Sequence, residues 1–254
     1  MTKPIISVIS PAINANYWGE FYHYFTIGNF IPWEIVFVGP KAPDFPLPEN
    51  FRHIQVNFKL TQCLEIAAME ARGEYLVIIP DDVIVLPGVL DWAHLFKNRL
   101  PPFSIVGVRY GKDVGGERKE LNDKCALIVS DLASPVIPIC GMIRKSEWVE
   151  LGGIDSQFVV SCGDMDLYMR AFARGGCPFI SPDSVIFERE VAAGGTRITK
   201  KFRHDYYLVV DQWTNRDANG IVIEYRKQRK DPIIPFDHET IMDYDQGNMR
   251  GWIL

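Results

Sequence analysis

Two adjacent carboxylates, Asp81 and Asp82, close an apolar run at residues 75–83, YLVIIPDDV. Like charges side by side at the end of a buried segment are tolerable when they are solvated or share a cation. Hard cations such as Mg²⁺ and Mn²⁺ take carboxylate oxygens and bind together with substrate phosphates, so one or two protein carboxylates suffice. A turn followed by an N-terminal helix cap would explain the same pair without a ligand. A second acidic cluster, Asp164 and Asp166, opens a helical stretch, where capping and the helix dipole favour acids on their own account. Asp166 and Arg170 stand i,i+4 apart and can pair.

The elements that must position these groups alternate. Residues 5–10, 34–38, 53–57, 75–79 and 104–110 read as strands, being short apolar or β-branched runs ended by Pro or Gly. Residues 17–27, 61–72 and 87–100 read as helices between them, and the continuous apolar run before Asp81 fits a strand covered on both faces. Residues 41–50 and 111–124 read as loops. In the second half, residues 136–142 are extended, 145–151 and 164–174 helical, and 178–181 and 184–187 short strands. After Thr196 comes a basic, aromatic helix at 200–213, a strand at 221–225 and a proline-rich tail. Strand–helix alternation implies an α/β sheet, and the change after Thr196 suggests a domain over 1–195 with a packed extension over 196–254. In such sheets ligands bind beyond the carboxyl ends of strands, which is where Asp81 and Asp82 fall.

Composition narrows the function classes. The 254 residues are 47% hydrophobic and 23% charged, with a net charge of -5, an ordinary globular balance that argues against a general nucleic-acid binder. The basic runs at 200–203 and 226–230 are short. Five cysteines without a C-x-x-C pair fit a reducing compartment. No signal peptide or membrane-spanning run is evident; the expectation is a cytoplasmic protein, with peripheral membrane association left open.

Residues 73–90, GEYLVIIPDDVIVLPGVL, resemble the central segment of GT-A glycosyltransferases, especially the large inverting family two, where a strand ends in Asp-x-Asp and Pro-x-x-Leu follows. Residues 141–170, GMIRKSEWVELGGIDSQFVVSCGDMDLYMR, resemble that family's acceptor region, in which Glu-Asp-x-Asp-Leu opens a helix carrying an Arg. The first strand with its following loop, ISVISPAIN at 6–14, resembles the nucleotide-binding strand. The blocks fall in order over residues 4–190.

The resemblance implies a GT-A fold, a Rossmann-like open mixed sheet flanked by helices, here with a C-terminal extension. It implies sugar transfer from a nucleotide-sugar donor to a hydroxyl of a glycan or other acceptor, with inversion and a divalent cation, Mn²⁺ or Mg²⁺. Asp82 falls on the metal-touching Asp, Pro80 on the other Asp of the motif, and Asp81 on its variable middle. Glu188 falls near the position of a metal-binding His in many members, with His204 as its rival. Asp164 falls on the general base and Gly163 on the preceding Glu. Pro11, Ala12, Asn14 and Asp81 would contact the nucleotide-sugar, and Asp155 and Gly141 the acceptor. Trp148 and Trp213 stack on a sugar or pack in the core.

Three departures stand out. Val38 is followed by Gly39-Pro40-Lys41 where the family carries base-contacting acids. Cys63-Leu64-Glu65 replaces Ala-Arg-Asn, leaving Lys59 as a stand-in for the phosphate contact. Pro80 and Gly163 replace acids. Two other readings therefore stay open: a non-catalytic GT-A module for binding or assembly, and a nucleotidyltransferase, although residues 11–16 lack the glycine-rich basic loop the latter needs. The extension closes over the site or makes subunit contacts, the second implying a homo-oligomer.

Overall fold

The computed structural model describes residues 2–120, 126–127, 136–138, 140–189 and 199–237. The end of the 111–124 segment, Cys125, the 195/196 boundary and the tail beyond 237 lie outside these residues. The first half runs β1 (Ile6–Pro11), a 3-10 turn (Ala15–Tyr17), α1 (Trp18–Thr26), β2 (Trp33–Gly39), β3 (Phe51–Gln55), α2 (Leu60–Glu70), β4 (Tyr75–Ile78), β5 (Val83–Val85) and α3 (Val89–Lys97). Next come β6 (Ile105–Val114), β7 (Glu117–Glu120), β8 (Ala126–Leu127), β9 (Val136–Ile137), β10 (Gly141–Arg144) and α4 (Lys145–Glu150). The chain continues through α5 (Gly163–Ala173), β11 (Pro178–Arg189), α6 (Thr199–Trp213), β12 (Thr214–Arg216) and β13 (Val222–Tyr225).

Among the described residues, nine strands share one mixed sheet, ordered β3-β2-β1-β4-β10-β6-β11-β5 with β7 paired to β6. The strands β1 to β4 are parallel, and β10 enters antiparallel between β4 and β6. Helices α1 and α3 bury Trp18, Phe21, Phe25 and Leu90 against one face. Helices α2, α4, α5 and α6 bury Leu64, Trp148, Leu167 and Trp213 against the other. An α/β sheet with helices on both faces matches the expectation.

The open sheet does not. It curls into a half-barrel, and the carboxylate segment explains why. Residues 79–82 join β4 to β5, yet β10, β6 and β11 separate those strands in the sheet. In a flat sheet they would lie roughly 19 Å apart. Four linking residues, two of them in a turn, reach only if the sheet bends round. β11 helps: the two short strands expected at 178–187 are one long strand with a bulge between Ser181 and Val185, and bulges bend and twist a strand. Asp81 and Asp82 therefore sit on a strap across the mouth of the curl.

A second difference concerns residues 111–124, expected as a loop. β6 continues to Val114 and turns back through Gly115 and Gly116, both with positive φ (62° and 86°), into β7. Two consecutive left-handed residues suit a tight hairpin, and glycine permits them without strain.

The extension packs by ion pairing in the interior. Arg229 donates from Nε to Asp166 (2.9 Å) and from Nη2 to Asp155. Asp166 also accepts from Arg170 and from the Trp213 indole, each at 2.9 Å. Both aspartates are fully buried. Removing one member of such a cluster leaves a charge unpaired in low dielectric. Arg229→Met should lower unfolding free energy by about 3–5 kcal/mol in urea titrations, and the double change with Asp155→Asn should recover part of it.

Candidate functional site

The ends of β1 and β4 form the rim on which the site is built. Ile79 makes the last bond of the β1–β4 ladder, its N–H meeting the Ile9 carbonyl at 3.3 Å. The next rung would need an N–H from Pro11, which has none, so the ladder stops there. Asp81 then turns inward and is buried. Its Oδ2 accepts from the backbone N–H groups of Ile13 (2.8 Å) and Asn14 (2.6 Å) and from the Trp18 indole (3.0 Å). Its Oδ1 accepts from the Asn14 side chain at 2.9 Å. The carboxylate expected on the nucleotide thus binds and shapes the loop carrying Pro11, Ala12 and Asn14.

Asp82 is consequently the acid left at the mouth. It is partly buried, and desolvation first, then the charges of Asp81 and Glu188, push its carboxyl up to about 6, while Arg189 opposes them. Glu188 lies opposite Val83 in the β5–β11 register. The Tyr110 hydroxyl on β6 donates to Glu188, and burial together with that carboxylate holds the phenol well above its usual range.

Asp164 stands in the first turn of α5, the turn that Cys162 enters in the left-handed region at φ 62°. Burial raises its pKa, against hydrogen bonds from the helix N-terminus that lower it. Gly163 beside it is packed tightly: a Cβ would lie 2.9 Å from Ile154 Cγ2. The buried thiol of Cys140 links the halves of the site. Desolvation raises its pKa first, followed by the charges of Asp164, Asp82 and Glu188. All three carboxylates are thus close enough to act on one side chain at the head of β10.

The loop leading into Asp164 is fixed from the extension. Asp205 on α6 is fully buried, and its Oδ2 accepts from the N–H groups of Val159, Val160 and Ser161 at 3.1, 2.6 and 2.9 Å. His204, the rival metal ligand, is largely exposed and pairs through Nδ1 with Asp205 at 3.0 Å.

Other expected residues hold protein. Asp155 binds Gln157 and Arg229. Gly141 donates to the Tyr168 hydroxyl at 3.1 Å, and a Cβ there would lie 2.7 Å from that ring. Trp148 and Trp213 are buried and donate to Glu65 and Asp166, so packing is their role. Glu65 also accepts from the Ile154 N–H at 2.9 Å, fixing the Gly152-Gly153 turn. Gly39 admits the Ala12 carbonyl, which would come within 1.9 Å of a Cβ. Sequence reasoning missed Tyr110, Cys140, Arg189 and Asp205; Asp205 adjoins His204 in a singled-out stretch, but nothing local marks its three amide partners.

Among the described residues no three His, Cys, Asp or Glu side chains gather into a metal site on their own. Asp82 and Glu188 supply two hard oxygen donors whose mutual repulsion a cation would relieve. That suits a divalent ion completed by substrate phosphates and water. Two surface cavities, about 560 and 420 Å³, include none of Asp82, Asp164 or Glu188. No described helix is long and apolar enough to cross a membrane.

Neither a family profile nor a curated protein sequence matches the chain. Solved structures do. S. aureus TarS 1–349 aligns with a TM-score of 0.58 at 14% identity, over 81% of this chain and 64% of that one. The same protein in complex with UDP gives 0.57 at 15% identity, with the same coverage. GalNAc-T7 with UDP, GalNAc and Mn²⁺ gives 0.59 at 14% identity, over 84% of this chain and 49% of that one. The fold is that of glycosyltransferases. The chain spans less than two thirds of each of these structures.

Two outcomes follow from the geometry. Asp205→Ala should speed hydrogen exchange at the amides of Val159, Val160 and Ser161 and cost about 1–3 kcal/mol, whereas Asp205→Asn, which keeps an acceptor, should retain most of the protection. Asp82 has a folded pKa raised above its unfolded value, so its contribution to stability is full below about pH 4 and is lost as pH rises through about 6. Asp82→Asn should therefore raise the melting temperature at pH 8 and leave it nearly unchanged at pH 4.

Proposed function

We propose that the chain is a glycosyltransferase that moves a sugar from a nucleotide-sugar donor to an acceptor hydroxyl with inversion. The supporting observation is that a sheet of the fold shared with TarS and GalNAc-T7 carries Asp82 and Glu188 side by side at its rim through the β5–β11 register, with Asp164 in the first turn of α5.

In this reading the loop from Pro11 to Asn14, held by Asp81, cradles the nucleotide. Asp82 and Glu188 hold a divalent cation, which would act as a Lewis acid on the departing diphosphate. Asp164 is the general base. The acceptor oxygen attacks the anomeric carbon, the bond from that carbon to the diphosphate oxygen breaks with its electron pair, and the hydroxyl proton passes to Asp164. The raised pKa of Asp164 makes its carboxylate a better proton acceptor. Asp205 keeps that carboxylate's loop in register from the extension. GalNAc-T7 was solved with UDP and Mn²⁺, which fits a diphosphate-and-cation site on this fold.

One observation favours a second reading. Asp81, expected on the nucleotide-sugar, is taken up by internal hydrogen bonds and Pro80 stands where the motif has an acid, so the donor site has fewer acidic groups than the resemblance calls for. A non-catalytic sugar- or nucleotide-binding module would have that property.

Thermal-shift screening against UDP-, GDP-, CMP- and dTDP-sugars, with and without Mn²⁺, separates the two. Transfer predicts stabilisation by one base, weakened by chelator. It also predicts that Asp164→Asn lowers turnover by about 10²–10⁴-fold while that stabilisation persists. Binding without turnover, indifferent to Asp164→Asn, would leave the module reading in place.

A further inference from the structure

Arg189 closes β11 at the same rim, its N–H donating to the Asp82 carbonyl at 3.2 Å. Its guanidinium lies over the Tyr17 ring, 4.8 Å from the centroid. One Nη2 reaches Glu20 at 2.6 Å and the Tyr24 hydroxyl at 3.4 Å, and Tyr24 itself donates to Glu20. Tyr17, Glu20 and Tyr24 line one side of the turn and helix that follow the nucleotide loop. The Nε of Arg189 is buried and has no hydrogen-bond partner among the described residues. An orphaned guanidinium donor is costly, and its presence beside a cleft points to an acceptor that arrives with the ligand.

The local charge says which kind. Arg189 follows Glu188 in β11 and its N–H meets the Asp82 carbonyl, so a positive guanidinium adjoins both acids at the rim. A diphosphate entering between Asp82 and Glu188 meets two carboxylates of its own sign. Guanidinium is the side chain whose planar fork matches phosphate oxygens, and it tolerates stacking on an aromatic face. Glu20 is half exposed and can turn into water.

We propose that Arg189 is a diphosphate-binding group of the donor site and that Glu20 is its internal competitor. Glu20 holds the guanidinium when no donor is bound; phosphate oxygens replace Glu20 and meet Nε when one is. This rests on the glycosyltransferase reading and adds to it a resident positive charge, next to the position where Pro80 replaces an acid.

The experiment measures pyrophosphate binding to the full chain with Mg²⁺ by calorimetry, then repeats it with the nucleoside diphosphate that the thermal screen selects. Arg189→Gln should weaken binding roughly tenfold or more, Arg189→Lys less, and Glu20→Gln should tighten it several-fold. The opposite sign at Glu20 is the discriminating result. If the Arg189–Glu20 pair only braced α1, loss of either partner would loosen the site, and Glu20→Gln would weaken binding or leave it unchanged; that outcome overturns the proposal. If Arg189→Gln does not fold, Glu20→Gln and Arg189→Lys still decide it. Failure of the broader reading looks different: wild type binds neither pyrophosphate nor any nucleotide. Binding that Asp82→Asn weakens but Arg189 and Glu20 variants do not would sink Arg189 alone.

Discussion

The arrangement depends on where Asp81 points. Four donors from Ile13, Asn14 and Trp18 converge on its carboxylate, and a buried carboxylate so fully hydrogen-bonded is held in place. This one group ties the loop after β1 to the strap between β4 and β5. Because the strap also closes the half-barrel, a local cluster of hydrogen bonds and the global curl of the sheet are the same constraint. It also resolves the question of adjacent like charges. The turn at residues 81 and 82 sends one carboxylate inward to its donors and leaves the next at the cleft, where burial first, and then repulsion from its neighbours, raises its pKa.

The opposite side of the cleft is held differently. Asp164 sits on a helix start whose approach is fixed by Asp205, and the helix itself is braced through Asp166 by Arg170, Trp213 and Arg229. Those groups come from three segments separated in sequence, two of them in the extension. The extension therefore supports the acceptor half from beneath. Burial of Asp155, Asp166 and Asp205 is tolerable only because each has charged or backbone donors at hydrogen-bond distance. Such clusters break together, so the geometry around Asp164 is coupled to the packing of α6 and the segment after it.

Much of the fold was legible in the sequence because its signals are local. The strands ending at Pro11, Gly39 and Ile78, and the helices before Gly73 and Gly175, follow from apolar runs and from residues that stop them. β5 was not legible: three apolar residues after Asp82 look like the lead-in to a helix, and only pairing with β11 makes them a strand. The curl was missed for the same reason, since it follows from the order of strands in space. At the site, Asp82, Glu188 and Asp164 could be singled out by motif. The inward turn of Asp81 and the closures at Asp155 and Asp205 depend on partners 44 to 74 residues away, and no local pattern records them.

The positions that depart from the family pattern have packing reasons of their own. Pro80 directly follows Ile79, the last ladder residue, and its fixed φ leads the chain out of β4 into the strap. Gly39 leaves room for the Ala12 carbonyl, which any side chain would displace. Gly163 sits against Ile154 at the helix entry, where a Glu would have to push aside the turn that Glu65 fixes. Gly39 and Gly163 are thus positions where a side chain would collide with a neighbouring segment. The rim keeps Asp82 and Glu188 on one side and Asp164 in the first turn of α5 on the other. With Asp81 turned to its internal donors, one carboxylate fewer at the rim competes with an incoming anion for the Arg189 guanidinium.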